Sequence, residues 1–406
     1  MVSERGRGEA RLSADARRIL AVQALRAFAY GLGSVLIGVT LSRRGFSGLE
    51  VGVVLAALLA GAALMSLALA RFGDRVGRRR FYVALLIAMG VAGTVFALTD
   101  SVALLVVAAL TGTVSTDVIE SGPFTSLEQA MLPQAASDRD PTRLFGTYAT
   151  IATLAGSLGA LAAATVDVFD ADIRDLMLVY PVAAALGLVV ALGLSGGVEP
   201  PAGENGRPPP LRRSRGIVRR LAGLFALDSL GGGFVTQVFV AYWFTERFGT
   251  SPATLGVVFL AVGFLQAISF EVAVRLAGRI GLLRTMVFTH LPSNLLLACI
   301  AFAPTEAAAI ALLLARFALS QMDVPTRQAY VVAVVDPDER TAAAAVTNGA
   351  RYLTRPVGPL LSAPLLGLWL GAPFVVAGAV KSVYDVGLYR LFRTVELPSA
   401  PGSDVA

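Results

Sequence analysis

Long apolar stretches alternate with short polar ones along the whole chain. Segments of about 18 or more apolar residues fall near 19–41, 50–70, 81–99, 101–124, 144–166, 176–195, 220–244, 253–274, 285–303, 307–333, 342–367 and 371–389. Each is long enough to cross the roughly 30 Å hydrocarbon core of a bilayer as a helix. The pattern predicts an all-α membrane protein of twelve transmembrane helices, whose even number puts both chain ends on one side.

Composition agrees with a bilayer as solvent. Apolar residues make up 55% and charged residues only 15%, with 41 glycines and a mean hydropathy of +0.70. A soluble domain of this length needs a more highly charged surface. The net charge of +6 comes from arginines spread over short loops, not gathered on one face, so it speaks for membrane orientation and against nucleic acid as a partner. A lone cysteine, Cys299, excludes an internal disulfide and leaves no Cys/His metal cluster or redox pair, so no cofactor or metal is expected. The charged start of the chain precedes a first segment of spanning length, which reads as a crossing and not as a cleaved leader.

Arginine sets the orientation. Arg75, Arg78, Arg79 and Arg80 lie in the second loop, Arg139 and Arg143 in the fourth, Arg212, Arg213, Arg215, Arg219 and Arg220 in the sixth, and Arg275, Arg279 and Arg284 in the eighth. The alternate loops hold only Arg43, Arg44, Arg174 and Arg247, and one of them is acidic. By the positive-inside rule both termini are cytoplasmic, in a cell membrane of the bacterial type. The longest connection is rich in proline and arginine, as linkers are. It divides the chain into a tail (1–17), a six-helix bundle (18–195), a linker (196–218), a second six-helix bundle (219–393) and a closing tail (394–406).

The halves repeat one another. Gly73-Asp-Arg-Val-Gly-Arg-Arg-Arg80 aligns with Ala277-Gly-Arg-Ile-Gly-Leu-Leu-Arg284, keeping Arg75/Arg279, Gly77/Gly281 and Arg80/Arg284 in register. Glu128-Gln129-Ala130, ending the fourth segment, matches Arg327-Gln328-Ala329, ending the tenth. With this repeat, the twelve segments and the loop Gly73, Asp74, Arg75, Gly77, Arg78, Arg79, Arg80, the chain resembles the major facilitator superfamily over nearly its whole length. Ala70 stands where that family's loop signature usually has glycine. The resemblance implies two six-helix bundles rocking about a central cavity lined by helices one, four, seven and ten, with the signature loop, Asp74 included, acting as a cytoplasmic latch. Anchoring of the hairpin by its arginines alone is the plainer alternative.

Ionisable groups inside spanning helices cost about 2.5–3.5 kcal/mol each on insertion scales, so they face a cavity or one another. Asp117 and Glu120 on helix four lie one turn apart, with Glu128 further along. Two carboxylates so placed raise one another's affinity for protons, which makes Asp117 and Glu120 candidate proton-coupling groups. Arg316, Asp323 and Arg327 share a face of helix ten, so an acidic stripe in one half confronts a mainly basic one in the other. Two readings stay open: an ion-pair gate between the bundles, or contacts to substrate and protons. Arg26 on helix one and Asp228 on helix seven join the candidates for cavity or gate, as do Arg351 and Arg355 one turn apart on helix eleven. Gly231-Gly232-Gly233 gives helix seven a place to bend. Lys381 and Asp385 have the spacing of an intrahelical ion pair, and His290, on a helix that the resemblance places outside the cavity, reads as structural.

The reading is a secondary active transporter of a small molecule, working by alternating access as a monomer in the lipid bilayer, coupled to protons, with efflux preferred. Helix five lacks the Gly-Pro common in drug antiporters of the family, which weakens a multidrug assignment. An organic-anion symporter or facilitator using Arg316, Arg327, Arg351 and Arg355 is the alternative within transport. A transporter-like receptor or sensor is the alternative of another class, and its short tails argue against it. No nucleophile triad, metal cluster or phosphate loop supports an enzyme.

Overall fold

The computed structural model describes residues 12–115, 122–135, 141–199, 211–336 and 339–395, and no strand occurs among them. The first half contains α1 (Ala14–Arg43), α2 (Gly48–Val76), α3 (Arg78–Leu98), α4 (Val102–Leu110), α5 (Pro123–Ala135), α6 (Pro141–Ala162), α7 (Thr165–Val168), α8 (Ile173–Met177) and α9 (Val179–Leu192). The second contains α10 (Arg215–Phe234), α11 (Gln237–Phe248), α12 (Pro252–Ile280), α13 (Leu282–Ile300), α14 (Glu306–Ser320), α15 (Asp323–Ala333), α16 (Arg340–Thr354), α17 (Val357–Leu368) and α18 (Ala372–Phe392). Among the described residues nine helical segments are long and apolar enough to cross a membrane. Large aliphatic side chains such as Val107, Val189 and Leu368 stand exposed on the outside, where lipid replaces water.

Chemistry at the breaks explains why several segments divide. Gly112, at φ +68°, ends α4 where the chain runs against the backbone of Gly61 and Ala62, an approach that leaves no room for a side chain. Pro356 separates α16 from α17, since proline supplies no amide hydrogen to continue the helix. The seventh segment breaks at Val235–Thr236, just beyond the glycine triplet expected to loosen it, and Thr236 Oγ1 accepts from the Phe239 N–H (3.2 Å) to start α11. Gly77 and Gly281 join α2 to α3 and α12 to α13 with φ of +93° and +86°, and each N–H donates to the carbonyl four residues back.

The halves meet along one end. Contacts run between α1 and α11, α2 and α17, and α6 and α12, all near the loops opposite the chain termini. Glycines make the close approach possible: a Cβ on Gly52 would lie 2.5 Å from the Ala363 Cβ, and one on Gly256 would lie 2.6 Å from the Ala160 carbonyl oxygen. Packing of small residues is what holds helices together in lipid, where no hydrophobic drive acts between them. Asp167, from the first half, accepts the Ala253 N–H (2.7 Å) in the first turn of α12, so a carboxylate of one half sits at the positive end of a helix of the other.

Candidate functional site

Two buried charge networks lie away from that seam, one in each half. In the first, α1 carries Arg26 and α5 carries Glu128. Arg26 Nη2 donates to Glu128 Oε2 (2.7 Å), and the same carboxylate accepts from the Tyr148 hydroxyl (2.5 Å) and, through Oε1, from the Tyr82 hydroxyl (2.7 Å). The guanidinium also lies 5.1 Å from the Tyr30 ring centre and 5.2 Å from that of Phe124. Glu128 is wholly buried, and these partners supply the hydrogen bonds that a buried carboxyl group needs.

The second network gathers five helices. Lys381 Nζ on α18 donates to Asp228 Oδ1 on α10 (2.5 Å). Arg327 Nη1 on α15 donates to Asp323 Oδ2 (2.8 Å) one turn back and, more weakly, to Asp228 Oδ2 (3.4 Å). His290 on α13 turns Nδ1 to Asp385 Oδ1 (2.9 Å) and Nε2 toward Asp228 Oδ1 (3.8 Å). Asn294 Nδ2 donates to Asp385 Oδ2 (2.8 Å). Arg351 on α16 lies within electrostatic reach of Arg327, Asp228 and Asp323. Three carboxylates and three permanent cations cancel when His290 is neutral.

The networks are related by the repeat with their charges exchanged. Arg17-Arg18 and Ala24-Leu25-Arg26 align without a gap on Arg219-Arg220 and Ala226-Leu227-Asp228, while Glu128 corresponds to Arg327. Helix one thus offers the cation and helix four the anion, and in the second half the seventh segment offers the anion and the tenth the cation. The same alignment pairs Gly31 with Gly233, which press against the carbonyls of Gly156 and Arg355.

Several expectations change in this light. An acidic stripe facing a basic one across the halves is not what the described side chains form: Arg26, Glu128, Asp228, Asp323 and Arg327 pair within their own half, because they lie where the halves are not in contact. Lys381 bonds Asp228 and not Asp385, and His290 joins the ionic network. Asp117 and Glu120 lie outside the described residues, as does the Asp74 side chain. Arg316 is half-buried on α14 with its guanidinium 4.6 Å from the Phe317 ring, and Arg355 caps the end of α16.

The signature loop is tied into its own bundle. Arg78 Nη1 donates to the Ala130 carbonyl within α5 (2.9 Å), and Arg79 Nη2 donates to the Leu192 carbonyl at the end of α9 (2.6 Å), a cation placed at the negative end of a helix. Glu199, which the sequence did not single out, accepts the N–H groups of Arg78 (2.7 Å) and Arg79 (3.1 Å). Gly73 is buried in the last turns of α2, and Arg75 and Arg80 are exposed. Glu339 does the same work in the second half, accepting the N–H groups of Arg212 (2.6 Å), Arg213 (2.9 Å) and Ser214 (2.8 Å) ahead of α10.

Comparison with known proteins places this geometry. The Saccharomyces cerevisiae uncharacterized membrane protein YJR124C is 26% identical over 428 residues, covering 95% of both chains. Among solved structures, the nucleoside transporter NupG superposes with a TM-score of 0.73 at 12% identity, over 93% of this chain and 99% of that one. A D-xylose-proton symporter gives 0.68 at 14% identity, over 93% and 98%. The human organic anion transporter MFSD10 gives 0.61 at 16% identity, over 92% and 99%. At these identities the structures establish the fold alone. The sequence itself matches the Major Facilitator Superfamily across residues 19–359, and the chain belongs to that family of membrane transporters.

Proposed function

We propose that this transporter moves a small polar organic molecule by alternating access, driven by the proton gradient, with efflux favoured over uptake. The carrying observation is the one-sided seam: two bundles that touch through glycines at one end, and carry self-contained charge networks elsewhere, are built to part at that end and close at the other. Twelve crossings follow if α4 with α5, α16 with α17, and α18 complete the nine spans; α18 falls short on composition because it carries Lys381, Asp385 and Arg390. The arginine-rich loops support cytoplasmic termini by the positive-inside rule, and on that reading the closed end faces outward. Asp117 and Glu120 stay the candidate proton acceptors of the cavity, and Asp74 with its neighbours the latch of the inner side. The protein acts as a monomer in the membrane.

A second reading, an organic-anion carrier, draws on one buried group: Arg351 Nε has no hydrogen-bond acceptor among the described residues. Proteoliposomes carrying the full chain, offered nucleosides, sugars and organic anions with and without an imposed pH gradient, test both. Accumulation that depends on the gradient and collapses with a protonophore is expected. Flux indifferent to the gradient overturns the proton-driven reading in favour of a facilitator.

A further inference from the structure

Resting on the proton-driven reading, we propose that in the second half, beside the candidate acceptors Asp117 and Glu120 of the first, His290 takes up a coupling proton on Nε2, and that this proton releases Asp228 from Lys381 or Arg327, loosening α10 from α18 and α15. The tautomer follows from the partners. Nδ1 lies 2.9 and 3.1 Å from the two oxygens of Asp385 and 3.1 Å from Asn294 Nδ2; the Asn294 amide gives its hydrogen to the nearer Asp385 Oδ2 (2.8 Å), and the carboxylate can only accept, so we assign the hydrogen to Nδ1. The neutral ring then points the lone pair of Nε2 at a second carboxylate, Asp228, 3.8 Å away. A proton arriving there converts a repulsive approach into a charge-assisted hydrogen bond.

Charge balance gives the consequence. Around the ring stand Asp228 from α10, Asp323 and Arg327 from α15, Arg351 from α16, and Lys381, Tyr384 and Asp385 from α18, with Asn294 on its own helix. From α12, Glu271 and Arg275 pair with each other on the exposed surface, and α14 holds Arg316 over Phe317. Within the network itself, the charges of Asp228, Asp323 and Asp385 balance those of Arg327, Arg351 and Lys381, so an imidazolium leaves one excess positive charge among these groups. A buried charge without a counter-ion is costly, and the network relieves it by letting one cation leave Asp228. Since α10 continues into α11, which forms the seam with α1, a change in how α10 is held reaches the contact between the halves.

His290 is the only histidine in the chain, which makes the test direct. Untagged full-length protein labelled with ¹⁵N-histidine, in lipid nanodiscs, gives a single imidazole signal to follow from pH 5 to 9. Spin labels at exposed Leu49 and Leu368, in a Cys299→Ser background, report the separation of the halves over the same range. Expected are a hydrogen on Nδ1 at high pH, protonation of Nε2 as pH falls, and a change in label distances with the same midpoint. His290→Gln flattens the distance response. Asp385→Asn, which removes the counter-ion of the imidazolium, moves both curves to lower pH by about 1 pH unit or more. An imidazole whose protonation never changes overturns the proposal, as does a distance response that persists in His290→Gln; in either case gradient-driven flux still stands, with another group as its carrier. A distance response absent from the wild-type protein, with flux indifferent to the gradient, overturns the proposal and the proton-driven reading together.

Discussion

Lys381 donates to Asp228, 153 positions away in sequence, instead of to Asp385 one turn along its own helix, and the Nζ–Oδ1 distance is 2.5 Å. Asp228 is thereby the hub of the second network, shared among Lys381, Arg327 and the His290 ring. Removing it leaves Lys381 without its carboxylate and Arg327 with Asp323 alone, whereas removing Lys381 leaves Asp228 with Arg327. Breaking a buried pair by deleting one partner costs about 3–5 kcal/mol. Asp228→Asn is therefore expected to lower the thermal unfolding temperature in detergent more than Lys381→Met. The double variant is expected to lose less than the sum of the singles, by about 1 kcal/mol or more. Strict additivity shows that the two groups do not interact.

Gly77 and Gly281 allow a comparison within one molecule. Both hold a positive φ that side-chain-bearing residues adopt only under strain, about 1–3 kcal/mol each. A Cβ at Gly281 meets nothing within 4 Å, but at Gly77 it lies 3.3 Å from Glu199 Oε1, the carboxylate that caps α3. Gly281→Ala is expected to lose the backbone cost alone and Gly77→Ala that cost plus part of the cap. Unfolding midpoints that fall equally, or further for Gly281→Ala, contradict the role given to Glu199.

The seam between the halves offers a conformational prediction. Gly52→Leu places atoms inside Ala363 and the Pro359 carbonyl, so the state in which this seam is shut is excluded by overlap while each half can still pack internally. Folded protein is expected, with cysteines introduced at the helix ends beside the seam becoming reactive to impermeant reagents and substrate flux falling at least tenfold. Gly223→Ala, at a helical site open on all sides, is the control and leaves both unchanged. Unaltered reactivity in Gly52→Leu rules out the seam as the closing contact.

Much of this architecture was legible before any coordinates, because a bilayer imposes segment length and glycine imposes φ. Residues near in sequence were readable too: Asp323 and Arg327, four apart, share a helix face and do pair. Arg26 with Glu128, 102 positions apart, was not readable, since spacing says nothing about which helices become neighbours. The gapless match of Ala24-Leu25-Arg26 with Ala226-Leu227-Asp228 was the available signal, and it is visible only when Arg and Asp are compared as charges exchanged, not as residues conserved. Lys381 and Asp385 had suitable spacing, but a carboxylate on the adjacent helix competes with one on the same helix, and Asp228 won. His290 was read as structural because the resemblance places helix nine outside the cavity; spacing along the chain could not show that its ring reaches Asp385 and Asp228.

Glu339 gives a prediction in pH. The N–H of Ser214, joined by those of Arg212 and Arg213, holds its carboxyl down at about 2, against a smaller upward push from burial. A carboxylate whose folded value is depressed contributes stability above its unfolded value and loses it as pH falls through the folded one. With an unfolded value of about 4.3 for glutamate, the contribution is complete at neutral pH and fades between about 4.3 and about 2. Glu339→Gln should therefore lower the unfolding temperature in detergent by a constant amount from pH 8 to 5, and the gap to wild type should narrow as pH falls further. A gap that stays constant to pH 3 means that the charge of Glu339 is not what gathers the three amides ahead of α10.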